Sequence, residues 1–360
     1  MGIKNFKKIA FFSLLLISTF LFVSCEKKEV EIETISEGTE TDISVEYEDY
    51  VGKNKNLFLE QGDKIAVISP SATPSREQVD KTIEGLKNLG YEPVEGKFAY
   101  GEVRTKAEII EDLLWALNDP SIKAIFSVRG GYGASEIMEE IPIELIKNSN
   151  KMIIGYSDIT VYHSAWTMAN VLSIHSSMSS TFIDLPKECA EATAKIFKGQ
   201  IPIYNCNENN GKTGEATGVL IGGNLSTFTS VIGTKFDSTK INKPYILFLE
   251  DVGEDLEHIH RYLTILKHQN ILKNAKGIIF GEWVDLPADL GDYLGKSRGG
   301  KYASIVDMIK REFTNELDIP IAFNFPAGHG STNYPLLMGE MVNLKVQDSN
   351  YNLKYLAPIS

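Results

Sequence analysis

The sequence predicts an α/β protein with a mainly parallel sheet and helices on both faces. Two observations carry this fold class. Short apolar, β-branched runs alternate with segments of helical period, as parallel strands and their crossover helices require. The runs also end in small or glycine-rich segments, Ser69-Pro70-Ser71, Arg129-Gly130-Gly131-Tyr132-Gly133 and Gly155-Tyr156-Ser157-Asp158, which read as strand-end loops.

Taken in order, Lys64 to Ser69 is the first such strand. A helical pattern through Val79, Ile83, Leu86 and Leu89 follows and stops at Gly90, a favoured helix terminator. A second helix is expected from Lys106 to Leu117, strands at Ala124 to Val128 and Met152 to Tyr156, and a helix from Ile159 to Asn170. Residues 186–212 have no clear period and carry Asn205, Asn207, Asn209 and Asn210, so an interdomain linker is placed there. Beyond it lie a strand at Tyr245 to Leu249, a helix from Leu256 to Lys267, a strand at Gly277 to Phe280 and a Gly/Asp-rich loop insertion from Asp289 to Lys301. The expected organisation is residues 1–25 as a signal, 26–56 as a tether, 57–185 as the first domain, 186–212 as the linker and 213–360 as the second domain.

With 360 residues, 43% of them hydrophobic, the chain can bury a substantial core and has length for about two domains. Its net charge of −12 argues against a nucleic-acid partner, whose phosphates favour a basic face. At the N-terminus, Lys4, Lys7 and Lys8 precede the apolar run Ile9 to Val23 and then Ser24-Cys25. This is the pattern of a secretory signal, and the apolar run is short for a membrane span. A cysteine directly after the small residue resembles the lipobox of bacterial lipoproteins, although Phe22 stands where that pattern usually has Leu. Cys25 is then the lipidated mature N-terminus, with the protein exported and lipid-anchored to the cell envelope. An ordinary cleaved signal is the alternative. The acidic stretch that follows (Glu29, Glu31, Glu33, Glu37, Glu40, Asp42) reads as a flexible tether, or in part as an added edge strand around Ile43 to Tyr47. Cys189 and Cys206 have no CxxC partner and read as reduced or merely structural thiols rather than zinc ligands.

Three distant segments together suggest a serine hydrolase. Ser157 lies where an apolar strand runs into a helix, so a sharp turn would expose its hydroxyl and the Asp158 N–H could face an oxyanion. The second glycine of G-x-S-x-G is missing, and a plain helix N-cap would also use Ser or Asp there. The glycines at 130, 131 and 133 lack a P-loop ending, so a second oxyanion donor from Gly130 or Gly131 is the better functional reading, beside a simple tight turn. Glu250 ends an apolar strand where a carboxylate would face a cleft. Asp251 and Glu254 are rivals, and helix N-terminal placement explains some of the three. His329 lies between Gly328 and Gly330, with Ser331, Thr332 and Asn333 near enough in sequence to support it. His258 and His260, two apart on a predicted helix, point apart and suit no metal.

Six segments in this order resemble the LD-carboxypeptidase family, the serine peptidases that include muramoyltetrapeptide carboxypeptidase and the microcin C self-immunity protein. They are Gly62-Asp63-Lys64-Ile65-Ala66-Val67, Arg129 to Gly133, Ile154 to Asp158, Leu220-Ile221-Gly222-Gly223-Asn224-Leu225, Leu249-Glu250-Asp251 and Gly328-His329-Gly330, and the resemblance runs from about Gly62 to Tyr355. It implies a smaller β-rich C-terminal domain carrying Glu and His, with the active site between the two domains. It further implies Ser157 as nucleophile, His329 as general base and acid, Glu250 as the residue orienting it, and an oxyanion hole from the backbone of Gly131 (or Gly130) and Asp158. The implied enzyme needs no cofactor or metal, is a homodimer, and releases a terminal D-amino acid, typically D-Ala, from an L,D bond of a murein tetrapeptide. The chain departs from the family at Ile174-His175-Ser176, where His-Gly-Pro is frequent, which bears on the substrate pocket. An amidase of peptide–nucleotide conjugates and a lipoprotein that binds murein peptides without cutting them are the alternatives.

Overall fold

A computed structural model describes residues 42–50, 52, 55–101, 103–178, 186–207, 211–286 and 302–356. The signal, Cys25 and the expected insertion at Asp289 to Lys301 lie outside the described residues. In chain order the strands are β1 (Ile43–Asp49), β2 (Lys64–Ile68), β3 (Glu92–Glu95), β4 (Ile122–Ser127), β5 (Met152–Gly155), β6 (Ser173–His175), β7 (Gln200–Cys206), β8 (Gly214–Asn224), β9 (Tyr245–Val252), β10 (Gly277–Val284), β11 (Ile321–Ala322), β12 (Leu336–Met338), β13 (Met341–Val346) and β14 (Tyr351–Tyr355). The helices are α1 (Arg76–Asn88), α2 (Lys106–Asn118), α3 (Ala134–Met138), α4 (Ile143–Ser149), α5 (Thr160–Met168), α6 (Lys187–Phe197), α7 (Leu225–Val231), α8 (Leu256–His268), α9 (Ile271–Asn274) and α10 (Ile305–Ile309).

The first sheet has the order β12-β6-β5-β4-β2-β3. Its inner strands are parallel because each returns through a helix, α1 after β2, α2 after β3 and α5 after β5. Continuous burial of Ile65 to Ile68, of Ala124 to Ser127 and of Met152 to Gly155 shows why these runs are apolar without alternation: helices cover both faces. Capping chemistry places the helices. Ser75 with Gln78, and Thr105 with Glu108, form capping boxes at the starts of α1 and α2. The order β3-β2-β4-β5-β6 reverses direction between β2 and β4, and the loops after those two strands flank the switch point where a doubly wound sheet opens a crevice.

The second sheet has the order β1-β7-β14-β13-β8-β9-β10-β11, parallel from β8 to β11 and antiparallel elsewhere. With eight strands against six, it is larger in strand number than the first. The mixed α/β class is as expected, but three local expectations are corrected. Residues 43–49, placed within the tether, form edge strand β1 on β7, because their alternating pattern packs one face on the sheet. Residues 187–206, placed in the linker, are α6 and β7, whose short buried stretches are interrupted by Pro202 and by asparagines that mask the period. The two sheets also exchange strands: β12, far along the chain, pairs with β6 of the first. Cys189 and Cys206 are both buried and free.

Candidate active site

The apolar strand β5 delivers Gly155 to its carboxyl end, and the chain then turns sharply so that Ser157 adopts φ 63°. A left-handed backbone at a serine costs about 1–2 kcal/mol, and the neighbouring packing holds it there. His163 of α5 braces the turn: its Nε2 donates to the Gly155 carbonyl at 3.0 Å and its Nδ1 accepts from the Ser173 hydroxyl at 2.8 Å. Burial pulls its pKa down to about 4, so it is a neutral strut.

Gly130, at the carboxyl end of β4, faces this serine closely. A Cβ at residue 130 would lie 2.9 Å from Ser157 Cβ, 3.1 Å from its Oγ and 3.3 Å from Asp158 N. Glycine is therefore required for the approach, and the loop Gly130–Gly133 lies beside the serine, with Gly131 exposed. The Asp158 side chain turns away and is buried. It accepts hydrogen bonds from the Ser71 hydroxyl and from Ala134 N at 2.9 Å, while burial raises its pKa above the usual carboxylate range.

Across the crevice, β9 continues past Leu249, so Glu250 and Asp251 are strand residues. His329 Nδ1 lies 2.8 Å from Glu250 Oε2, and the Glu250 side chain is 0% exposed against 14% for His329. Burial alone would lower the His329 pKa, but the Glu250 charge and hydrogen bond prevail and raise it. Among the three acids considered for this place, Glu250 contacts the histidine. Asp251 accepts from Asn224 Nδ2 at 2.8 Å and from Ser226 N at 2.9 Å, and Glu254 pairs with His258 at 3.2 Å. Asn333 supports the histidine loop through its Oδ1, which accepts from Gly328 N at 3.1 Å.

The two halves meet at the carboxyl ends of both parallel sets of strands. The Tyr156 and His329 rings lie 4.7 Å apart, which brings the histidine beside the residue preceding Ser157. Asn224 N donates to Thr160 Oγ1 at 3.0 Å, tying the end of β8 to the start of α5. Among the described residues, no direct hydrogen bond joins Ser157 Oγ to His329. The contact that brings the histidine to this turn is the one with the Tyr156 ring, and catalytic hydrogen bonds are often completed only when substrate is bound. His175, expected to shape the substrate pocket, is instead fully buried behind Tyr156 and against Phe248, with ring separations of 5.9 and 5.2 Å.

Sequence reasoning missed Glu282. It sits at the carboxyl end of β10, next to a register shift, and burial pushes its pKa up to about 7. A backbone hydrogen bond from Gly330 and the nearby His329 oppose that shift, while Glu250 adds to it. Its signal was the one that exposed Glu250, an acid ending an apolar run.

This fold, with a serine on a left-handed turn opposite a buried His–Glu pair, is that of an α/β serine peptidase. The LD-carboxypeptidase N-terminal domain model matches residues 65–176 and the C-terminal domain model matches residues 217–344. The chain belongs to the LD-carboxypeptidase family of serine peptidases. It is 32% identical over 236 residues to a probable murein peptide carboxypeptidase of Bacillus subtilis, covering 62% of this chain and 73% of that protein. It is 25% identical over 288 residues to the murein tetrapeptide carboxypeptidase of Pseudomonas aeruginosa, covering 75% of this chain and 89% of that one. The crystal structure of muramoyltetrapeptide carboxypeptidase from Oxalobacter formigenes has the same fold, with a TM-score of 0.72 at 22% identity, over 82% of this chain and 100% of the other.

Proposed function

We propose that this chain removes the terminal D-amino acid, D-Ala, from murein tetrapeptides through an acyl-enzyme on Ser157. His329 Nε2 takes the Ser157 proton as Oγ attacks the carbonyl carbon of the L,D peptide bond. Charge then develops on the carbonyl oxygen, within reach of the backbone N–H groups of Gly131 (or Gly130) and Asp158. His329 returns the proton to the leaving amine, and the C–N bond breaks. Water, deprotonated by the same imidazole, then hydrolyses the ester and regenerates the serine. Glu250 holds the tautomer with the proton on Nδ1 and offsets the imidazolium charge.

The observation that carries this reading is the 2.8 Å contact from His329 Nδ1 to a fully buried Glu250, which leaves Nε2 as the free ring nitrogen beside the Ser157 turn. Names of the relatives in Bacillus subtilis and Pseudomonas aeruginosa support the substrate class. Export with a lipid anchor at Cys25 belongs to the same proposal. It rests on the basic start, the apolar run and Ser24-Cys25, and requires that labelled palmitate enter the wild type but not Cys25→Ala.

The test is mass spectrometry of murein tripeptide, tetrapeptide and pentapeptide incubated with purified enzyme and with Ser157→Ala. Loss of one D-Ala from the tetrapeptide by the wild type alone is expected. Binding without cleavage would point to a receptor, and cleavage only of an aminoacyl-nucleotide conjugate would replace the substrate.

A further inference from the structure

The turn after β2, Ser69 to Thr73, has its carbonyls held from outside. Arg104, just before α2, donates from Nη1 to the Ser69 carbonyl at 2.6 Å and to the Phe98 carbonyl at 3.2 Å. Its Nη2 reaches the Ser71 carbonyl at 2.9 Å and its Nε reaches Thr73 Oγ1 at 3.3 Å. The Tyr162 hydroxyl donates to the Pro70 carbonyl at 2.5 Å, and Arg129 Nη1 donates to the Thr73 carbonyl at 3.1 Å. A planar guanidinium suits this task because its donors diverge in fixed directions.

What the turn presents inward is the N–H of Ala72, which donates to the Gly130 carbonyl at 3.2 Å. The described chain has no cis peptide bond, so the N–H of the Gly130–Gly131 peptide points opposite to that carbonyl, away from Ala72. Gly131 has φ 107°, and a Cβ there would come 2.7 Å from Ala72 Cβ, so the turn and the glycine loop are in close contact. The turn has a second hold on the site: the Ser71 hydroxyl donates to Asp158, whose carboxylate also takes Ala134 N at the far end of the glycine loop.

We propose that Arg104 is a positioning residue for the oxyanion hole: it fixes the Ser69–Thr73 turn, whose Ala72 N–H holds the Gly130 carbonyl and thereby aims the Gly131 N–H at the carbonyl oxygen of the bound peptide. Arg104 touches no reacting atom. Its effect is confined to the stage at which charge develops, so it acts on kcat rather than on ground-state binding. The inference rests on the acyl-enzyme reading above.

The experiment is steady-state kinetics on murein tetrapeptide with Arg104→Lys and Arg104→Ala, beside Ser157→Ala. A lysine keeps the charge and loses the divergent donors. Arg104→Lys is expected to lower kcat about 10–100-fold with KM nearly unchanged, less than the roughly 10²–10³-fold lost when an oxyanion donor is removed outright. Affinity for a peptidyl boronic acid, which forms a tetrahedral adduct on Ser157, should fall by a similar factor. Tetrapeptide affinity should be the same in Ser157→Ala and in Ser157→Ala/Arg104→Lys, and millimolar guanidinium should restore part of the kcat of Arg104→Ala. Should the Arg104 variants fail to fold, Ser71→Ala removes the turn's hold on Asp158 and should also lower kcat with KM held. Unchanged kcat in a folded variant overturns this inference alone. Equal losses of kcat and tetrapeptide affinity, without guanidinium rescue, overturn it in favour of general loosening. Full turnover by Ser157→Ala overturns the acyl-enzyme reading itself.

Discussion

His329 Nδ1 stands 2.8 Å from Glu250 Oε2, and the carboxylate is wholly withdrawn from solvent. A charge in that position acts on the imidazole with little screening, and its hydrogen bond leaves Nε2 unprotonated when the ring is neutral.

A pH dependence follows. The base must be neutral, and Glu250 overcomes burial to raise the His329 pKa. The acid limb of kcat/KM should therefore have its midpoint above the ordinary histidine value of 6.5. Removing the charge leaves burial opposed only by the smaller effects of Asp251 and Asp285. Glu250→Gln should move that limb to lower pH while lowering kcat about 10²–10⁴-fold, by analogy with serine-protease triads. A limb that stays in place would show that Glu250 is not the charge the histidine feels.

Gly328 guards the same contact. It has φ 132°, and a Cβ there would lie 2.7 Å from Glu250 Oε2 and 3.1 Å from its Cβ. Gly328→Ala must displace the carboxylate, the histidine loop, or both. We expect kcat to fall about 100-fold, the scale on which a 1 Å misplacement acts. Crystals of the variant should show the His329–Glu250 distance lengthened.

Ser157 itself stores strain at φ 63°. Ser157→Gly relieves the left-handed backbone and should stabilise the fold by about 1 kcal/mol while abolishing turnover. Ser157→Ala keeps the Cβ and should abolish turnover without that gain. Denaturant midpoints of the two inactive variants, compared with wild type, decide it.

Glu282 predicts how stability changes with pH. Its folded pKa is about 7, against 4.5 as the ordinary value, so the folded state binds its proton more tightly than the unfolded chain does. The stabilising contribution is full below 4.5 and is lost as pH rises to about 7. The scale is at most about 3 kcal/mol by the free energy of a pKa shift. Glu282→Gln should flatten this part of the stability–pH curve in urea unfolding at pH 4.5, 6 and 8. An unchanged curve would assign the dependence to other groups.

The residues carrying the proposed chemistry were legible because each sits at a local boundary. Ser157, Glu250 and the glycine loop end apolar strands, and His329 is set between glycines, so periodicity and composition mark all of them. Arg104 left no such mark, while Glu282 carried the same mark as Glu250, an acid ending an apolar run, and was passed over. Arg104 precedes a helix cap and resembles any surface arginine until the carbonyls of Ser69, Ser71 and Phe98 converge on it. Asp158 was read for its backbone, and only the fold shows its side chain bound to Ser71 and Ala134.

By itself the sequence determined the α/β class, strands β2, β4 and β5 of the first sheet with helices α1, α2 and α5, and the glycine loop after β4. Those features rest on interactions within a few residues, where hydrogen-bonding period and turn chemistry are written directly. The tertiary structure decided the pairings between distant segments: β1 on β7, β12 on β6, and the Tyr156–His329 contact that joins the two halves of the site. It also decided which of three adjacent acids meets the histidine. Such choices depend on register and strand direction across hundreds of residues, and a one-residue change of register would turn Asp251 rather than Glu250 toward the crevice.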